Sequence, residues 1–196
     1  LGDDGVRALA GSLSVKQVKR LILSSNKLGP EAAKALAESD RMGNLQELKL
    51  YKNNIGDDGV RHLANSEKLP ALQALRLAWN NISPVGARYL AESKNLQGVT
   101  SLTLADNKIG DEGLKALAAS ESFSNLEILD LRHNGISDEG AIALAGSKMF
   151  PRLQTLDLNE NPLTEKGKEA ISIFLIRNLI RLRLRDEGKS LDLSNL

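Results

Sequence analysis

Cysteine is absent from the 196 residues, which excludes disulfides and thiolate-ligated metal centres. Two histidines leave little material for an imidazole zinc site, so neither metal nor cofactor is expected. Aromatic residues are scarce, at three Phe, two Tyr and one Trp, and the place of each one carries information. No apolar run reaches the roughly 20 residues of a membrane span, and the opening LGDDGVRALAGSL lacks a basic region followed by an apolar one. A surplus of one charge is missing too. Lys and Arg number 26 against 25 Asp and Glu, which removes the electrostatic case for nucleic acid or an anionic membrane as partner. These absences describe a soluble chain whose compartment stays open, with the cytoplasm preferred to the exterior.

What the chain does have is periodicity. Asn26, Asn53, Asn80, Asn107, Asn134 and Asn161 follow one another at intervals of 27 residues. Each closes a frame LxxLxLxxNxI, as in Leu45, Leu48, Leu50, Asn53 and Ile55, and a second pattern, xxxGxxxLA, follows it, as in Gly59, Leu63 and Ala64. An apolar residue three positions before each frame completes the unit: Val15, Met42, Leu69, Leu96, Phe123, Phe150 and Ile176. The LxL stretch alternates with period 2 and predicts a short strand; the stretch running to LA has helical spacing.

Helix starts are written in chemistry. Ser83, Ser137 and Thr164 can cap, Pro30 and Pro84 fall where a missing N–H costs nothing, and acids such as Asp57, Asp111 and Asp138 occupy the positive first turn. The GDDG and GDEG tetrads are therefore helix starts; a calcium loop would need alternating oxygen ligands over about 12 residues and a closing Glu. One unit cannot stand alone. Burying about seven apolar side chains at roughly 1.5–3 kcal/mol each falls short of ordering a unit at about 1.5 kcal/mol per residue. Stacking must supply the difference, and six Asn in one register predict a ladder of side chains bonded to loop backbone rather than an active-site residue.

The frame LxxLxLxxNxIxxxGxxxLA resembles the leucine-rich repeats of the ribonuclease-inhibitor-like class. The resemblance runs from Leu1 to about Ile176. It implies an α/β solenoid of horseshoe shape, with a parallel sheet on the concave side, helices on the convex side, and binding of another protein through the concave face. Ribonuclease inhibitor itself is rich in cysteine and alternates two repeat lengths; this chain has no Cys and a single period, so inhibition of ribonuclease does not carry over.

The expected organisation is one array over residues 1–196: a partial repeat at 1–17, six repeats at 18–178 and a degenerate cap at 179–196. At its start, LGDDGVRALA matches IGDDGVRHLA at 55–64, so the pattern opens in mid-unit. At its end, Leu179, Leu182 and Leu184 suggest a seventh strand with Glu187 in place of Asn. Arg181, Arg183 and Arg185 on that strand would discourage edge-to-edge pairing, or offer a site to an acidic partner.

Residues flanking the second Leu of each frame, and the two before Asn, should form four exposed columns on the concave face. Repeats one to three are mainly basic there, with Arg20, Lys49, Lys52 and Arg76 against Glu47; repeats four to six are mainly acidic, with Asp106, Asp130, Asp157 and Glu160 against Arg132. Tyr51 and Trp79 fall on this face, and His133 lies between Asp106 and Glu160 in its column. Aromatic and Arg side chains dominate the energetics of protein interfaces, so Tyr51, Trp79, Lys49, Lys52, Arg76, Asp106, Asp130, Arg132, His133 and Asp157 are the expected protein-binding residues. Asp130 and Asp157, one repeat apart, invite a proton-sharing or glycosidase reading, but an open sheet offers no enclosure for a small substrate. No nucleophile elbow is present either. The expectation is a non-catalytic protein-interaction module, with no small-molecule substrate. The alternative is a recognition or regulatory fragment of a larger sensor, effector or enzyme-linked protein.

Overall fold

The computed structural model describes residues 1–186 of the chain. Strand and helix alternate: α1 (Gly2–Gly11), β1 (Arg20–Ile22), α2 (Pro30–Ala37), β2 (Glu47–Lys49), α3 (Gly56–Ala64), β3 (Ala74–Arg76), α4 (Pro84–Ala91), β4 (Ser101–Thr103), α5 (Gly110–Ala118), β5 (Ile128–Asp130), α6 (Asp138–Ala145), β6 (Thr155–Asp157) and α7 (Glu165–Asp186). The six strands form one parallel sheet in chain order. Its register advances by one unit at each step, so that Leu48 pairs Leu75 and Leu75 pairs Leu102. The fold is an α/β leucine-rich-repeat solenoid, with frame leucines and helix Leu-Ala pairs in one continuous core.

The Asn ladder runs beneath the loops. Asn107 Oδ1 accepts from the N–H groups of Asn80 and Ile82, both at 3.0 Å, while its Nδ2 donates to the carbonyls of Leu77 at 3.0 Å and Leu104 at 2.8 Å. Backbone groups of a buried turn thus gain partners from the neighbouring unit. A second ladder, not anticipated from the Asn spacing, ties the helix ends together. Ser39, Ser66, Ser93, Ser120 and Ser147 each donate from Oγ to the Ala carbonyl 29 residues earlier, at 2.5–2.6 Å.

A third ladder refines the expected role of the first-turn acids. Asp57 accepts from the N–H of Ser83 at 2.8 Å and of Gly86 at 3.0 Å, and from the Ser83 hydroxyl at 2.5 Å. Asp111 does the same for Ser137 and Gly140. These carboxylates therefore serve the N-terminus of the next helix as well as sitting in the first turn of their own. Ser83 and Ser137 cap as expected, accepting from Val85 and Glu139 N–H.

The period of 27 in sequence conceals a period of 54 in conformation. Gly2, Gly56 and Gly110 have φ of +70°, +61° and +58°, whereas in the intervening units the left-handed residue directly follows Asn: Lys27, Asn81 and Gly135 at +56°, +56° and +68°. The repeat length keeps a single period, while the turn geometry alternates. The helices respond, with nine residues in α3 and α5 and eight in α2, α4 and α6.

The expected strand at Leu179–Leu184 is corrected: these residues belong to α7, 22 residues long. Position 174, where the Ser ladder would continue, is Phe, buried to 1% exposure. Arg177 instead donates to the Ala145 carbonyl at 2.7 Å, Asn178 donates to Phe150 O at 3.1 Å, and no Gly or Pro lies between Gly167 and Asp186 to interrupt the helix. Ile176, expected in the core with Val15 and Met42, is therefore exposed. Glu187 lies outside the described residues. No helix among the described residues is long and apolar enough to cross a membrane.

Candidate functional site

The concave columns assemble as the frame requires, because parallel pairing in register places equivalent residues side by side: Glu47 opposite Ala74, Lys49 opposite Arg76, Asp130 opposite Asp157. Their exposure is uneven. Ala78, Ser101 and Ala105 are buried, whereas Tyr51 is 43% and Trp79 48% exposed. The centre of the face is a shallow floor of small side chains, and the two aromatics stand at its basic end.

The residues that run against the local charge trend prove to be its organisers. Glu47 lies 2.6 Å from Arg20, 3.4 Å from Lys49 and 3.6 Å from Arg76. Burial pushes its carboxyl up, but Lys49, Arg20 and Arg76 together outweigh this and hold it below the usual range. Arg76 is fixed further by donating to Ser101 Oγ at 3.0 Å and Thr103 Oγ1 at 2.9 Å. In the acidic half, Arg132 forks onto Asp130 at 2.9 and 3.0 Å and reaches Asp157 at 3.3 Å. Hydrogen bonding to Asp130, with the charges of Asp130 and Asp157, raises the Arg132 pKa further. The two aspartates considered above as a carboxylate pair thus share one guanidinium.

His133 Nδ1 lies 2.8 Å from Asp106 Oδ1, and among the described residues no hydroxyl engages the other ring nitrogen, so a nucleophile relay is not assembled. Lys52 has no ion-pair partner among the described residues, unlike Lys49, Arg20 and Arg76. Of the ten expected residues, Lys49, Arg76, Asp106, Asp130, Arg132, His133 and Asp157 are held by hydrogen bonds or ion pairs; Tyr51, Lys52 and Trp79 have no such side-chain partner among the described residues, and Lys52 stands one rung from Trp79 on the loop margin.

One property of this margin was not visible in composition. Ser25, Lys52, Trp79, Asp106, His133 and Glu160, the residues before each ladder Asn, all have φ between +50° and +60°. Left-handed backbone costs an L-residue about 1–2 kcal/mol, and Asn or Gly suits it best. A Trp at such a place is retained against that preference. The signal lay in the invariant position before Asn, read as a column but not as a dihedral.

Comparison with known proteins agrees with this architecture. The family model described as Leucine Rich repeat matches residues 18–37, 44–64, 68–91 and 97–118, and that described as Leucine Rich repeats (2 copies) matches 124–166. The chain belongs to the leucine-rich repeat family, in its ribonuclease-inhibitor-like class. No curated protein matches it. Among solved structures it is similar to leiomodin-1 actin-binding site 2, with TM-score 0.61 and 18% identity over 81% of this chain and 94% of that one. It is also similar to the tropomodulin C-terminal domain of Caenorhabditis elegans, with TM-score 0.56 and 15% identity over 95% and 99%. An internalin from Listeria monocytogenes gives TM-score 0.55 and 22% identity over 86% of this chain and 48% of that one. At these identities the likeness is one of fold.

Proposed function

We propose that this chain is a non-catalytic binding module that holds a partner protein on its concave face, with Tyr51 and Trp79 as anchors. The observation that carries the reading is Trp79. It is the only Trp in the chain, about half exposed, and held in a backbone conformation that disfavours it. Nothing in the core needs it, and exposure of a large aromatic at such a cost is best explained by a partner. The internally paired charges of Glu47 and Arg132 support a preformed surface, which loses less side-chain freedom on binding than a mobile one. The solved domain named for actin-binding site 2 has the same fold, a precedent that supports a protein as the class of partner. On the same reading α7 closes the array, its Arg177 and Asn178 taking up carbonyls of the last unit.

The test uses the chain as bait and compares the affinity of the captured partner for variants of the two faces. Trp79→Ala should weaken the complex by about 2 kcal/mol, roughly thirtyfold, as truncation of an interface anchor does. Arg61→Glu and Arg88→Glu, on the convex helices, should leave it unchanged. The reverse pattern would move the interface to the helical side.

A further inference from the structure

At the loop margin of the concave face, beyond the ladder, lies a groove of about 670 Å³ lined by Ser25, Lys27, Lys52, Asn54, Trp79 and Asn81, and bounded by Asp106. Its walls come from consecutive units and from both turn types, so the 54-residue alternation of the backbone shapes it. Lys27 and Asn81 are the left-handed residues that follow Asn, Lys52 and Trp79 those that precede it. The frame is rigid. Lys52 N–H donates to Ala78 O and Trp79 N–H to Ala105 O, each at 3.0 Å, and Asn54 N–H donates to Leu28 O at 2.7 Å.

The groove's functional groups are less satisfied than its backbone. Asn81 Nδ2 donates to Asn54 Oδ1 at 2.8 Å, and Asn54 Nδ2, with no acceptor among the described residues, keeps its donors available. Lys27 and Lys52 have no carboxylate partner among the described residues, in contrast to the cations gathered round Glu47. Asp106, the acid at the boundary, hydrogen-bonds with His133 and pairs with neither lysine. The groove therefore presents two uncompensated ammonium groups and an amide donor beside one apolar indole face.

We infer that this groove binds an acidic peptide segment of the partner, one that lays a bulky apolar side chain on Trp79 and directs neighbouring carboxylates to Lys27 and Lys52. Adjacent rungs stand about 4.8 Å apart and an extended peptide advances about 3.4 Å per residue, so carboxylates one or two residues from the apolar side chain reach the two lysines. Asp106 on the far side of the indole sets the direction, repelling carboxylate at that end. It also disfavours a run of phosphates along the groove, so a peptide fits better than a nucleic-acid strand, which would otherwise suit Trp beside Lys. The inference rests on the concave-face reading, since Trp79 serves both.

Because Trp79 is the only Trp, its fluorescence reports on this groove alone. The probe is an acetylated, amidated heptapeptide with a central Leu flanked by three Glu on each side. It should shift the Trp79 emission to shorter wavelength with saturation. Peptides with Lys for Glu, or Ala for the central Leu, should bind at least about tenfold more weakly. Lys27→Glu combined with Lys52→Glu should abolish the shift while circular dichroism shows an unchanged melting temperature. Lys16→Glu combined with Lys148→Glu, the same change of charge outside the groove, should not. Saturation by the Lys peptide or by oligothymidylate in place of the Glu peptide would overturn the inference, as would equal loss in both double variants. If no peptide moves the emission while the captured partner still depends on Trp79 and Tyr51, the groove assignment fails and the concave face stands.

Discussion

Asn80 and Trp79 are neighbours in the chain and belong to two different regions of the molecule. Asn80 is fully buried and is part of a ladder repeated in every unit. Trp79 is half exposed in a column where no two units carry the same residue. The backbone treats the column of Trp79 as strictly as the ladder, with one dihedral from Ser25 to Glu160, yet the side chains vary without regard to it. Stability in this protein is periodic, since each unit must satisfy the same orphaned groups. The exposed face is aperiodic, as the proposed binding of a partner there would require.

The largest effect on stability should come from cutting the ladder at its middle. Asn107→Ala leaves the N–H groups of Asn80 and Ile82 and the carbonyls of Leu77 and Leu104 short of a partner, and should cost about 2–3 kcal/mol in a urea titration. Asn26→Ala should cost under about 1 kcal/mol, because Asn26 Oδ1 accepts only from the N-terminal ammonium and its amide donates locally to Ser24 O. Equal losses at the two sites would break the distinction between ladder interior and ladder edge.

Asp111→Asn should come next, at about 1 kcal/mol near neutral pH, the usual worth of a cap. Burial pushes the Asp111 carboxyl up, but bonds from Ser137 and Gly140 and the charge of Lys115 more than compensate, and its pKa lies below the ordinary value. The unfolded chain therefore binds more protons than the folded one in the window below about pH 4. The contribution is complete above the unfolded pKa and is lost as pH falls through the folded one. The gap in melting temperature between wild type and variant should accordingly shrink between pH 7 and pH 3; a gap independent of pH would show that the carboxylate charge is immaterial there.

The smallest expected effect has the opposite sign. Lys52 is exposed, makes no ion pair among the described residues and has φ of +54°, so Lys52→Asn should stabilise the fold by about 0.5 kcal/mol. Its urea midpoint should rise while binding of the acidic peptide weakens. A lower midpoint would mean that Lys52 supports the fold and that the contrast between ladder and surface is less sharp at this rung.

Much of this molecule was legible before any coordinates. The 27-residue interval of Asn, the LxL frame and the Ser and Pro helix starts are local patterns whose physical consequences are local, and they placed six strands, their register and the ladder correctly. The Ser ladder and the recurrence of GDDG or GDEG at 54-residue intervals were equally open to inspection, and were hidden by the stronger signal of the Asn. The seventh strand was misread because leucines alternating with arginines at 179–185 satisfy a strand frame and a helix equally. Phe174 in the place of the ladder Ser, and the absence of a helix breaker, decided for the helix.

By itself the sequence determined the fold and the list of exposed residues along the six strands, since periodicity assigns each position to core or surface without knowledge of its neighbours. Tertiary structure alone decided how those surface residues relate. Glu47 and Arg132 looked like exceptions to the charge trend and became its organisers only when adjacent rungs brought Arg20 and Arg76 to Glu47, and Asp157 to Arg132, within 4 Å. Lys27 and Asn54 drew no notice in the frame. They became walls of a groove because the turns of alternate units bend at different residues, a property of backbone dihedrals that residue types alone do not spell out.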